Sequence, residues 1–266
     1  MVKQGILKVH NGDVTSAIND FLKELLKSGK LSALLVPQTV PSKKVVFPAL
    51  ISNHDTLDAN VFAPLLPVSE AKMISKITKF QPSEKPIGVV IHPCQMSALI
   101  ELVKLNQANL DNIILIGVDC LGTFPVTVYA DLAEKKNPLD IIFDTLKSNA
   151  DTSEQYLRSA CVVCNQPVPI NADIVIGVFG MDLHKEILIE AVSDSGNKII
   201  EDLKLDSFKD VKKREKHINE YIERKTKKLE AFIKEKTEKS DIERLTTLFD
   251  KCVNCHNCMN VCPICY

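Results

Sequence analysis

The chain has 266 residues, 45% of them hydrophobic, with 33 Lys and Arg against 34 Asp and Glu for a formal net charge of -1. This is enough for one sizeable α/β core with a small appended module, and the charge balance gives no overall attraction to nucleic acid or an anionic membrane. The opening "MVKQGILKVHNGDV" has no apolar signal core and stretches such as "NIILIGV" are far short of the roughly 20 residues of a membrane span, so a soluble cytoplasmic protein is expected, its nine cysteines serving metal or redox chemistry rather than disulfides.

In chain order, the clearest strands are "SALLV" at 32–36, "IGVVI" at 87–91, "NIILIG" at 112–117 and "DIVIG" at 173–177. Amphipathic spacing predicts helices over Val14 to Lys27, Ser69 to Phe80, Gln95 to Leu105, Leu139 to Ser148 and Leu183 to Val192. The alternation predicts an α/β fold, a mainly parallel sheet covered by helices. Prolines crowd the segment between the first two clear strands, where the pattern is least decided. From Glu201 to Lys251 the composition changes, with 15 Lys or Arg and 13 Asp or Glu. There Ile218, Ile222, Leu229, Phe232 and Ile233 recur at helical steps without Gly or Pro, which predicts a long charged helical segment with a narrow apolar stripe. Its interleaved acidic residues favour a solvated face over a nucleic-acid surface. It is expected to hold the tail away from the body and to offer a docking surface to a partner. The domain expectation is therefore 1–200 for the α/β body, 201–250 for the helical linker and 251–266 for the start of a ferredoxin-type domain, truncated at Tyr266.

The tail "CVNCHNCMNVCPICY" places Cys252, Cys255, Cys258 and Cys262 in the spacing C-x2-C-x2-C-x3-C, followed by Pro263. This is the bacterial ferredoxin run that wraps a 4Fe-4S cube. Zinc sites more often pair two C-x2-C knuckles across a longer gap. His256 reads as a bystander among regular cysteines. In two-cluster ferredoxins the fourth cysteine ligates the other cube, so Cys262, and with it Cys265, could belong to a second centre.

Cys94 follows the strand ending at Ile91, and Cys120 follows the strand ending at Gly117. If those strands are neighbours in a βαβ unit, both cysteines lie at the edge where open α/β sheets bind ligands. Cys161 and Cys164 form a C-x2-C pair on a loop leading into another strand, a natural half of a four-thiolate site. The other reading of Cys94 and Cys120 is as small buried hydrophobes.

Three blocks, "VVIHPCQMSALIELVKLNQANLDNIILIGVDCLGTFP", "CVVCNQPVPINADIVIGVFG" and "CVNCHNCMNVCPICY", come in an order that resembles the coenzyme F420 hydrogenase/dehydrogenase beta-subunit family. The resemblance implies an oxidoreductase subunit, an iron–sulfur flavoprotein that exchanges hydride with coenzyme F420 through FAD. It would relay single electrons through 4Fe-4S clusters to a catalytic partner subunit of formate dehydrogenase, hydrogenase or heterodisulfide reductase type. It also implies a cluster nearest the flavin on Cys94, Cys120, Cys161 and Cys164, and a ferredoxin-type cluster on Cys252, Cys255 and Cys258. By motif position and strand-end geometry, Gly12, Thr15, Gln95, Gly117, Gly122 and Thr123 would contact the flavin. No side chain is nominated as catalytic. Family members tend to carry a second glycine where this chain has Asp13, and continue past "CPICY" with further cysteines. A relay or docking module with clusters but no flavin or substrate, and a structural zinc protein, are the readings from other classes.

Overall fold

The structure is a computed structural model that describes residues 3–42, 45–148, 153–203, 205–208, 210–237 and 249–265. Its frame is an eight-stranded sheet in the order β3-β2-β4-β5-β6-β7-β1-β8. The strands are β1 (Lys3–Lys8), β2 (Ala33–Thr39), β3 (Val46–Ile51), β4 (Ile87–Ile91), β5 (Ile113–Val118), β6 (Ile174–Gly177), β7 (Glu186–Ala191) and β8 (Asp206–Ser207). The four strands read from the sequence, β2, β4, β5 and β6, form the parallel centre. β3 and β7 flank that centre antiparallel, and β1 and β8 extend it past β7.

Both faces of the centre are covered, which is why its strands are continuous apolar runs. Ile114, Ile116 and Val118 of β5 join the cluster that includes Ile18, Leu22 and Leu25 of α1 (Val14–Lys27). The alternate residues Ile113 and Leu115 join Ile74 of α2 (Glu70–Thr78) and Leu99 and Leu102 of α3 (Pro93–Lys104). Further helices are α4 (Val126–Ala133), α5 (Pro138–Ser148), α6 (Ser159–Val162) and α7 (Asp194–Ile200).

One expected helix is a strand. Leu183, Ile187 and Ala191 fit helical spacing, yet residues Glu186–Ala191 are β7, paired with both β6 and β1. Ile187, Leu188 and Ile189 are consecutive and fully buried, and a short apolar run of this kind has no period to distinguish helix from strand. The proline-rich segment resolves into a hairpin in which Pro37 of β2 faces Pro48 of the edge strand β3. β4 pairs with β2 only at Ala33–Leu35, so Pro37 lies beyond the ladder that would need its missing N–H.

The charged segment forms α8 (Val211–Thr237); ahead of it the expected helical course holds the short strand β8 instead, 249–251 form a turn, and 238–248 lie outside the described residues. Its first half is not held off the body. Arg214, Tyr221 and Lys225 are buried, and Ile218 packs on the core. The Arg214 guanidinium meets Asp119, at the end of β5, through Nη1 to Oδ2 (2.6 Å) and Nη2 to Oδ1 (3.0 Å). Gly177 leaves the room for this, since a Cβ there would lie 2.6 Å from Arg214 Nη1. Beyond Leu229 the helix is exposed, Phe232 and Ile233 included.

Candidate metal centre

Ile91 of β4 pairs with Gly117 of β5, and Cys94 and Cys120 each lie three residues further on. Neighbouring parallel strands in register therefore deliver both thiols to one edge. Pro93 starts α3, where its missing N–H costs nothing, so Cys94 occupies the helix's second residue. The turn into α3 is held by Glu70, which accepts from the His92 backbone N–H (2.8 Å) and faces His92 Nδ1 at 2.7 Å. This pair is buried. Burial alone would depress the imidazole's pKa, but the Glu70 carboxylate outweighs it and raises the value.

Backbone bonds stitch the C-x2-C loop to the segment after β5. Cys120 N–H donates to Pro167 O (2.7 Å) and Arg158 N–H to Thr123 O (2.9 Å). The Arg158 side chain donates to Phe124 O (3.2 Å) and Leu66 O (3.1 Å), which fixes the start of α6. Gly122 makes the close approach possible. Its φ is +109°, and a Cβ would lie 2.6 Å from Leu157 and 3.3 Å from Cys161. The result is one cavity lined by Cys94, Cys120, Cys161 and Cys164 together with His92, Thr123 and Tyr221.

Two of the cavity's thiols, Cys94 and Cys120, are favoured in the neutral form in the metal-free protein. Cys94 keeps solvent contact on its outer side, yet the protein packed around its thiol, then the Glu70 charge and the neighbouring Cys161, push it up to about 11. Burial pushes Cys120 well above the ordinary thiol range, and the other three cysteines add to the rise. Donors already face the sulfurs: Thr123 N–H and Oγ1 each lie 3.4 Å from Cys161 Sγ, the Gln95 amide bonds to Cys94, and the Gly122 backbone bonds to Cys120. These groups suit thiolates whose charge is compensated by a bound metal, because ligation deprotonates cysteine. Among the described residues, no three His, Cys, Asp or Glu side chains converge closely enough to hold a single metal ion. Four cysteines are also the donor set of a 4Fe-4S cube, whose thiolates stand further apart than the ligands of one ion.

The tail cysteines form a second group. Cys252, Cys255 and Cys258 are exposed, and Cys262 and Cys265 are half-buried. Asn254 (φ 54°) and His256 (φ 57°) take left-handed conformations that wind the chain between the first three cysteines, a region Asn and His enter more readily than most residues. His256 thereby acts as the cap of the short helix Asn257–Val261, a backbone role. Cys262 N–H donates to Cys258 O (3.1 Å) before Pro263 ends the run. Lys72 of α2 reaches the carbonyls of Met259 (3.4 Å) and Asn260 (3.0 Å).

The six residues expected to contact a flavin are not gathered in one place. Gly12 (φ +75°) turns the chain beneath His184, and Asp13 caps α1 by accepting from Ser16 N–H (2.9 Å). Thr15 follows as the second residue of α1, just past the end of β1, and β6 and β7 separate β1 from β5, a distance of roughly 14 Å at ordinary strand spacing. Beside this turn is a hollow of about 650 Å³ lined by Lys8, His10, Asn11, Asp13, Asp20 and Asp206. Its three carboxylates are unsuited to a pyrophosphate. At the other end, the Gln95 oxygen accepts from Ser69 Oγ (2.7 Å), and the space beside Gly117 is filled by Pro169 and Ala172. Gly122 and Thr123 serve the cysteines. The nominated residues therefore fall into two groups, Gly12 and Thr15 in one and Gln95, Gly117, Gly122 and Thr123 in the other.

Sequence reading missed Glu70, His92, Asp119, Arg158, Tyr221 and Lys225 around the cavity. Asp119 alone left a signal, as an acid directly after a wholly apolar strand, a position that demands a partner.

Fold and cavity together define an α/β protein whose ligand edge gathers four thiols from three separate chain segments. The family model that describes the C terminus of the coenzyme F420 hydrogenase/dehydrogenase beta subunit matches residues 84–217, and the chain belongs to that family. The match spans all four cavity cysteines and the first turns of α8, but not the tail. Among curated proteins, the chain is similar to the F420-dependent formate dehydrogenase subunit beta of Methanocaldococcus jannaschii, 26% identical over 290 residues, covering 98% of this chain and 75% of that protein. It is likewise similar to the F420-dependent formate dehydrogenase 1 subunit beta of Methanococcus maripaludis, 25% identical over 289 residues, covering 97% and 74%. Among solved structures, a chain of the F420-reducing [NiFe] hydrogenase complex from Methanosarcina barkeri aligns with a TM-score of 0.58 at 15% identity, covering 86% of this chain and 91% of that one. That likeness supports the fold. No helix among the described residues is long and apolar enough to cross a membrane.

Proposed function

We propose that the chain is an electron-transfer subunit of an F420-linked oxidoreductase. In this reading Cys94, Cys120, Cys161 and Cys164 hold one 4Fe-4S cube, and Cys252, Cys255, Cys258 and Cys262 hold a ferredoxin-type centre. The observation that carries it is the single cavity into which two strand ends and a C-x2-C loop bring four thiols. Bound cubes would supply one-electron chemistry. The chain's own residues hold the thiols, line the cavity with Tyr221 and Pro167, and point hydrogen-bond donors at the sulfurs. The catalytic partner is of formate dehydrogenase, hydrogenase or heterodisulfide reductase type, and the exposed end of α8 offers it a face.

Hydride exchange with coenzyme F420 through FAD belongs to the same proposal and rests on family membership. No flavin step is assigned to Gly12, Thr15, Gln95, Gly117, Gly122 or Thr123. A relay module without flavin is the second reading, favoured by the three carboxylates of the hollow beside Gly12. Iron and flavin per chain on protein purified without oxygen test both. The proposal expects about eight irons in the unsubstituted chain and about four after Cys120→Ala. One flavin per chain with turnover of reduced F420 supports the hydride half, and iron without flavin supports the relay. Iron unchanged by Cys120→Ala would remove the cavity from the scheme.

A further inference from the structure

Charged helix α8 lines the four-cysteine cavity through Tyr221, and four residues on, beside that ring, it buries a lysine. Lys225 is 1% exposed. Its ammonium donates to the carbonyl of Val162 at 3.0 Å, inside the C-x2-C pair, between Cys161 and Cys164. It also lies 5.6 Å from the centroid of the Tyr221 ring, a ring that lines the cavity and packs edge-on to Phe179 at 5.3 Å. At the next residue of the helix, Asn165 Nδ2 donates to Thr226 Oγ1 (3.1 Å). The loop carrying two of the four thiols is thus tied to α8 on both sides of Cys164.

Burying an ammonium is costly, and a neutral side chain would fill the same apolar wall without that cost. What distinguishes a lysine here is charge. A cube on four thiolates is a net anion that becomes more negative on reduction, and its potential is set in part by nearby charge and by hydrogen bonds to the sulfurs. We propose that Lys225 is a positioning residue for the cavity's iron–sulfur centre, holding the C-x2-C loop through Val162 and raising the centre's reduction potential by its fixed positive charge. This rests on the cluster assignment of the preceding subsection. It also gives α8 a second part: helix docking and electron affinity of the centre become one structural event.

The test uses the full chain in a Cys252→Ala/Cys255→Ala background, which leaves the cavity as the remaining site. Iron content and a redox titration followed by electron paramagnetic resonance are compared for Lys225, Lys225→Met and Lys225→Arg. Lys225→Met keeps the length of the side chain and removes its charge. With iron retained, it is expected to lower the reduced-to-oxidised ratio at a fixed potential about tenfold, about 59 mV for a one-electron couple, and Lys225→Arg to restore the original value. An unchanged potential in an iron-loaded Met variant overturns the proposal. If the Met variant holds no iron, the Arg variant decides: iron at the original potential sustains the assignment, and a lowered potential or no iron overturns it. Absence of iron from the unsubstituted cavity would instead overturn the cluster assignment itself.

Discussion

Gly122 holds a backbone conformation, φ +109°, that other residues rarely enter, and it does so where its missing side chain touches Leu157 and Cys161. Gly122→Ala should therefore cost about 2–3 kcal/mol, measured by urea unfolding, and should displace the C-x2-C loop so that cavity iron falls with it. An alanine variant with full stability and full iron would show the turn to be replaceable. The thiols carry a second expectation. With Cys94 at about 11, its reactive thiolate in the metal-free protein is scarce at pH 8, and its alkylation rate should rise about tenfold per pH unit from 8 to 10. Peptide mapping after timed iodoacetamide treatment reads this, and a flat profile would contradict the packing of the Cys94 thiol near Glu70 and its fellow thiols. Cys94 and Cys120 were legible in the sequence because a paired strand register translates equal offsets in the chain into proximity in space, and Cys161 and Cys164 because a C-x2-C pair marks itself. Thr123 was legible only as a strand-end residue. Its hydrogen bonds to the Cys161 sulfur link positions 38 residues apart, and spacing along the chain carries no trace of them.

At the scale of elements, the charged helix shows what periodicity can and cannot report. Apolar spacing identified the helix, but its most buried members are Arg214, Tyr221 and Lys225, and a pattern that counts only apolar residues puts two of these on the solvent side. Arg214 is the anchor. Burial would depress its pKa, yet the Asp119 charge and hydrogen bonds outweigh that and raise it, so the guanidinium stays charged. Asp119 also accepts from the backbone N–H groups of Val178 (2.8 Å) and Phe179 (3.2 Å), which leaves it no alternative conformation that keeps its bonds. Arg214→Ala should thus strand a buried carboxylate and cost about 3–5 kcal/mol. Denaturant unfolding measures it, and a loss below about 1 kcal/mol would place the pair among surface-like contacts. The parallel centre of the sheet was readable because strands covered on both faces are uniform apolar runs. That same uniformity hid β7, whose Ile187, Leu188 and Ile189 differ from a helix segment only through the strands on either side.

At the scale of the whole molecule, the two cysteine groups differ in how they depend on the body. The cavity is made by the body: its walls are strand ends, α3, α6 and α8, and its thiols cannot meet unless the sheet has formed. The tail carries its cysteines within a few turns of chain, wound by the left-handed Asn254 and His256. Phe249, Val253 and Val261 are exposed, and none of the described tail residues belongs to either hydrophobic cluster. Lys72, reaching two backbone carbonyls from α2, is the kind of exposed tether worth little in stability. Deleting residues 249–266 should accordingly leave the unfolding free energy of the body within about 0.5 kcal/mol of the full chain. The same deletion should remove about four of about eight irons, while the cavity's electron paramagnetic resonance signal persists. A deletion that emptied both sites, or that lowered body stability by several kcal/mol, would mean that the tail closes the cavity from outside. The two groups would then be one cooperative unit rather than two centres in series.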